Sequence, residues 1–158
     1  MAKSTRATAA LDKAGIRYGL HAYDYSADVD SKGLAAAQAL GIVPARMFKT
    51  LMAWVDKQPV IAVIPSDQRL SLKKLAAHCG GKHAQMMDVA EAEKRSGYKV
   101  GGITPFAQQR PARVVFANSA EQHGTLYINA GQRGLLLDIA PAMALQVLQA
   151  DHADICEA

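Results

Sequence analysis

The sequence predicts a mixed α/β fold: a largely antiparallel or mixed curved sheet, curled towards a partial barrel and flanked by helices. Three observations predict it. Two apolar runs, 48–55 and 60–64, face each other across the turn Asp56-Lys57-Gln58-Pro59, the pattern of a hairpin. Short runs at 111–116, 125–129 and 135–139 are separated by turn residues. Helical stretches with capping residues are interspersed among these strands without regular β–α–β alternation, which argues against an all-parallel sheet.

The elements follow in order. Thr5 or Ser4 caps a first helix through Ala9, Ala10 and Leu11, and Gly15 ends it. From Ile16 to Tyr23 the residues alternate, with Ile16, Tyr18, Leu20 and Ala22 on one side, the period of a half-buried strand. Asp24 to Asp30 reads as an acidic loop. An alanine-rich helix runs from Gly33 to Leu40 and stops at Gly41. Pro44 opens the turn into the hairpin, whose second arm, Val60 to Ile64, is apolar enough to be central.

Ser71 caps a third helix, Leu72 to His78, which Gly80-Gly81 terminates, and Asp88 caps a fourth, Val89 to Ser96, closed by Gly97. Three short strands come next, the last two joined through Gly131-Gln132-Arg133-Gly134. Pro141 suits the first turn of a final helix ending at Leu148. No repeat, linker or low-complexity run interrupts the chain, so residues 1–158 are expected to form one domain.

Composition narrows the class. The chain is 50% hydrophobic and 20% charged, with a mean hydropathy of -0.02, ordinary values for a soluble globular protein. No run approaches the roughly 20 apolar residues that a membrane span needs, and residues 1–6 lack an apolar signal core. The net charge is +4; basic residues group at Arg69, Lys73, Lys74 and Lys82, at Lys94, Arg95 and Lys99, and at Arg110 and Arg113. Such groups are commonly solvated faces, but here they flank a glycine loop. Two cysteines, Cys79 and Cys156, stand far apart and imply no disulfide framework, so a cytoplasmic location is expected. His78, Cys79 and His83 do not make a metal site, because they span a helix end without zinc spacing.

The most informative stretch is Val100-Gly101-Gly102-Ile103-Thr104-Pro105-Phe106. Paired glycines let backbone approach a ligand or adopt positive φ, and Pro105 stiffens the loop while pushing Thr104 towards extended geometry. Alone, such a segment is more often a plain turn. Lys49 heads the first hairpin arm among apolar neighbours. It is either a snorkelling edge residue or a cation aimed at an anionic ligand.

Taken together, Phe48-Lys49-Thr50-Leu51, Gly97-Tyr98-Lys99-Val100-Gly101-Gly102-Ile103-Thr104-Pro105 and Gly131-Gln132-Arg133-Gly134-Leu135 resemble, in this order and at these separations, the YbaK family. These are free-standing relatives of the editing domain inserted in bacterial prolyl-tRNA synthetases. The resemblance implies a pocket for the aminoacylated 3′ end of tRNA, no cofactor and no metal. It implies trans-editing of mischarged Cys-tRNA(Pro), with the substrate's own thiol attacking its ester, and prolyl-tRNA synthetase as a partner. By position, Lys49 resembles the lysine that anchors the 3′-terminal nucleotide. Gly101 and Gly102 match the backbone that positions the aminoacyl group, and Thr104 stands where relatives commonly have Ser. Tyr23, Thr50, Ile103 and Asp138 are carried over as substrate-binding positions.

Two departures stand out. Relatives often carry an acidic residue directly after Arg-Gly-Leu, where this chain has Leu136; Asp138 is two residues on, on the same strand face. The run Ala107-Gln108-Gln109-Arg110 replaces a more basic, glycine-led segment. Two other functions compete: water-based deacylation of Ala- or another small aminoacyl-tRNA, and a non-catalytic module that binds tRNA or a synthetase. Neither cysteine has a visible activating partner, and Cys156 is expected to lie in a fraying terminus.

Overall fold

Phe48–Val55 and Gln58–Pro65 form the central hairpin of a computed structural model that describes residues 4–25 and 32–158. These strands, β2 and β3, run antiparallel with Phe48 opposite Pro65 and Val55 opposite Gln58. Asp56 takes the left-handed conformation at the turn, φ 54°, which Asp tolerates better than most residues. Its carboxylate accepts the backbone N–H groups of Lys82 and His83 at 3.1 and 3.0 Å. That fixes the start of β4 (Ala84–Met86) against β2.

The hairpin is the middle of a five-stranded mixed sheet ordered β4-β2-β3-β5-β8. β5 (Arg113–Ala117) lies parallel to β3, and β8 (Asp151–Ala153) parallel to β5. β3 is buried along Val60–Pro65, as expected for a strand covered on both faces. A second, antiparallel sheet is ordered β1-β7-β6, from Gly19–Ala22, Leu135–Ile139 and Leu126–Gln132. A parallel bridge between Met47 and Tyr127 links the two sheets. The expected mixed α/β fold is thus present, its strands divided between two sheets that do not close into a barrel.

The helices obey their caps. α1 (Arg6–Lys13) starts with a reciprocal capping box between Thr5 and Thr8. α2 spans Lys32–Leu40, and Gly41 follows it at φ 68°. α3 (Leu72–His78) is capped by Ser71, and α4 (Val89–Ser96) by Asp88 with left-handed Gly97 at its end. α5 covers Pro141–Leu148. The acidic loop read from Asp24 to Asp30 lies, from residue 26 on, outside the described residues.

Two expectations need correction. The strand begins at Gly19 rather than Ile16, because Ile16 donates its N–H to Leu11 at 3.0 Å and Tyr18 its hydroxyl to Asp12 at 2.8 Å. Residues 16–18 therefore close α1 instead of pairing in a sheet. Cys156 does not sit in a frayed end: it is 9% exposed, and Leu70 bridges to it. Ser71 N–H bonds to Ile155 and Glu157 N–H to Arg69, while the Lys74 ammonium bonds to Cys156 carbonyl at 2.9 Å.

Candidate active site

A cavity of about 510 Å³ opens where the two sheets meet. Lys49 and Thr50 reach it from the start of β2, Tyr23 from just beyond β1, and Gly101 and Ile103 from the glycine loop. Asp67 and Arg69 enter from the link between β3 and α3, and Asn129 from β6. Its size lies within the roughly 300–1,000 Å³ of small-ligand pockets.

The glycine loop is held by hydrogen bonds with three neighbouring side chains and one of its own. Val100 N–H donates to the Glu93 carboxylate, and Arg133 Nε donates to Val100 carbonyl, each at 2.8 Å. Asn129 Nδ2 donates to Gly101 carbonyl, and Gly102 N–H donates to Lys99 carbonyl, also at 2.8 Å. Gly101 has φ +89°, and a Cβ there would meet the Tyr25 hydroxyl at 2.5 Å. This is a position that only glycine fills without strain. Nearby, Tyr98 donates its hydroxyl to Phe106 carbonyl at 2.6 Å.

Lys49 sits in the cavity wall, and among the described residues its ammonium has no ion pair within 4.0 Å. Burial pulls it below the ordinary lysine value of 10.5, with Arg69 adding to that shift against the opposing effects of Cys156 and Asp67. A half-buried cation without a close counter-ion favours an incoming anion. Burial likewise raises the Tyr23 hydroxyl above its ordinary value, so it stays a neutral donor.

Five of the eight residues expected at the site line the cavity: Lys49, Thr50, Tyr23, Gly101 and Ile103. The other three stand elsewhere. Gly102 is buried behind the loop, where a Cβ would approach the backbone of Gln132 and Arg133 at 3.0–3.3 Å. Thr104 is fully buried, and among the described residues its hydroxyl has no hydrogen-bond partner. Asp138 is outside the lining and is engaged by His21, whose Nε2 lies 2.5 Å from its carboxylate. Gly19 leaves room for that carboxylate, since a Cβ there would clash with it at 2.3 Å.

Leu136, on the same strand face as Asp138, is fully buried with Ala36, Ala37 and Met47. Ala36 and Met47 themselves line the cavity, so Leu136 supports its apolar wall. Sequence reading missed Asn129 and Asp67. Asn129 did leave a signal, as a lone amide in the apolar run Leu126-Tyr127-Ile128-Asn129-Ala130. Ala107, in the run that departs from relatives, adopts φ 55° and accepts the Arg6 guanidinium at 2.7 Å.

Residues 31–146 match the aminoacyl-tRNA editing domain. EbsC of Enterococcus faecalis, described as a candidate Cys-tRNA(Pro)/Cys-tRNA(Cys) deacylase, is 36% identical over 122 residues, covering 77% of this chain and 74% of its own. The Ser/Thr-tRNA deacylase ProXp-y of Escherichia coli K12 is 38% identical over 50 residues, 32% of this chain and 30% of its own. A crystal structure described as a candidate trans-editing enzyme for prolyl-tRNA synthetase superposes with a TM-score of 0.81 at 21% identity. That superposition covers 97% of this chain and 96% of the other and shows a shared fold. The chain belongs to the aminoacyl-tRNA editing domain family.

Proposed function

We propose that this protein deacylates mischarged Cys-tRNA(Pro) in trans, using the thiol of the substrate's own cysteine as nucleophile. The observation that carries this reading is a cavity pairing an unneutralised lysine with a hydrogen-bonded glycine loop, with no His–nucleophile pair among its described lining residues. Among the described residues no His or Cys lines it, and Ser66 donates its hydroxyl to Pro44 carbonyl at 2.9 Å.

In this reading Lys49 holds the phosphate end of the terminal nucleotide, and Gly101 and Ile103 position the aminoacyl ester. Tyr23 and Thr50 bound the side-chain end. The thiolate sulfur forms a bond to the ester carbon, and the ester C–O bond breaks. The released ribose oxygen takes up the proton that the thiol gave up, and water then opens the cyclic thioester to free cysteine. A thiol with pKa near about 8.5 is partly ionised at neutrality, and confinement of the two reacting groups can supply about 7–11 kcal/mol of barrier lowering. Editing is needed because a synthetase pocket separates side chains as similar as cysteine and proline by only about 1–3 kcal/mol.

The reading extends to residues 1–158 acting as one editing domain in the cytoplasm, with prolyl-tRNA synthetase as the enzyme whose errors it clears. Among the described residues no helix is long and apolar enough to cross a membrane. The likeness to a Ser/Thr-tRNA deacylase favours a second reading, in which a bound water cleaves hydroxyl-bearing aminoacyl esters. Deacylation rates on Cys-, Ser- and Ala-charged proline tRNA decide between them. Turnover of the Cys ester far above the Ser ester supports the thiol mechanism; equal rates support water.

A further inference from the structure

Asn129 is the last regularly paired residue of β6, opposite Leu136, just before the register shift that leads to the pair at Gln132. Its Oδ1 accepts two backbone N–H groups, from Gly131 at 2.7 Å and Gln132 at 3.2 Å. Because both of those groups can only donate, they fix which end of the amide is oxygen. The Nδ2 end is therefore turned to the glycine loop, where one hydrogen goes to Gly101 carbonyl at 2.8 Å. An amide nitrogen carries two hydrogens. The second has no recorded acceptor among the described residues, and Asn129 lines the cavity.

We propose that Asn129 is a catalytic residue of the deacylation, donating its second Nδ2–H to the acyl carbonyl oxygen of the bound ester. The proposal rests on the deacylase reading above. As sulfur adds to the carbonyl carbon, that oxygen gains negative charge, and when the C–O bond breaks it returns to a carbonyl. A donor already oriented by three hydrogen bonds stabilises the transient charge without reorganising, the principle of an oxyanion hole. The same three bonds place the donor beside Gly101, so the loop that positions the ester and the group that polarises it move as one body.

The test is single-turnover deacylation of Cys-charged proline tRNA by wild type, Asn129→Ala and Asn129→Asp, with thermal melting and affinity for a non-hydrolysable 3′-amide-linked Cys-tRNA measured on each. Asn129→Asp keeps an acceptor for Gly131 and Gln132 but has no donor. Both variants are expected to lose about 10²-fold in the rate at saturation, the usual cost of one oxyanion donor, with affinity for the analogue kept. A wild-type rate in Asn129→Asp beside a slow Asn129→Ala would overturn the proposal, because the side chain would then act only through the turn. So would rate losses that vanish at saturating protein. A wild type that leaves every charged tRNA intact would overturn the deacylase reading itself, and this proposal with it.

Discussion

Gly102 is in backbone contact with Arg133: a Cβ on Gly102 would stand 3.0 Å from the Arg133 amide nitrogen and 3.1 Å from the Gln132 carbonyl carbon. The two glycines of the loop therefore do different things. Gly102 lets the loop press against the turn between β6 and β7, while Gly101 supplies the left-handed backbone at the cavity. Gly101→Ala combines unfavourable φ with a clash on the Tyr25 ring at 2.5–2.8 Å. It should cost about 1–2 kcal/mol from the backbone alone, plus whatever displaces Tyr25. Gly102→Ala should cost less stability, yet reduce turnover by shifting the loop. Urea denaturation beside deacylation kinetics checks both.

Lys49→Ala should leave a folded protein and abolish or strongly impair deacylation. Lys49→Met, which restores the apolar stem, should be at least as stable as wild type, because burial disfavours the charge. The sign follows from the lowered pKa: the cost of burying the ammonium is present at low pH and is relieved as pH rises through the depressed value. Substrate affinity should run the other way, weakening at alkaline pH before an ordinary lysine would titrate. A KM profile between pH 7 and 10.5 tests it, and full activity in folded Lys49→Ala refutes the anchor.

Neither cysteine should be needed for chemistry. Burial raises both thiols above their ordinary value of 9.0, so each is protonated at neutral pH and a poor nucleophile. Cys79→Ala with Cys156→Ser should keep its rate on Cys-charged tRNA. Its melting temperature should fall, because Cys156 lies in the core and a serine hydroxyl there costs about 1–3 kcal/mol if unpaired. A lost rate at full stability would assign the nucleophile to the protein.

Asp151 ties three elements together: it bonds to His78 of α3 and, at 3.1 Å, to Arg113 of β5. Partial burial alone would raise its carboxyl, but the bonds from His78 and Arg113 outweigh that and hold it below the ordinary 3.8. A depressed folded pKa contributes stability above the unfolded value, and that contribution is lost as pH falls through the folded one. Asp151→Asn should therefore lower the urea midpoint at pH 7, with the difference from wild type shrinking below pH 4. A difference that persists unchanged at pH 3 would show that the carboxylate charge is irrelevant.

The local signals in the sequence were strong where the chain makes its own structure. Ser71, Asp88 and Gly97 set the bounds of α3 and α4 because caps act through backbone groups two or three residues away. The hairpin of β2 and β3 was legible for the same reason, its turn and both arms being contiguous. The edge strands β4 and β8 were not. Each is three residues long and carries no alternation of its own, joining the sheet through backbone bonds that a neighbour supplies.

The same division runs through the site. Lys49, Gly101 and the family resemblance were fixed by residue type and order along the chain. Which of the eight expected residues share a cavity was decided by the packing of one sheet on the other. It brought Asn129 to the Gly101 carbonyl, turned Asp138 to His21, and put Gly102 behind the loop. Periodicity reports the face on which a side chain lies, but a cavity forms between faces that are distant in sequence. Their meeting depends on long-range burial, which no local window contains.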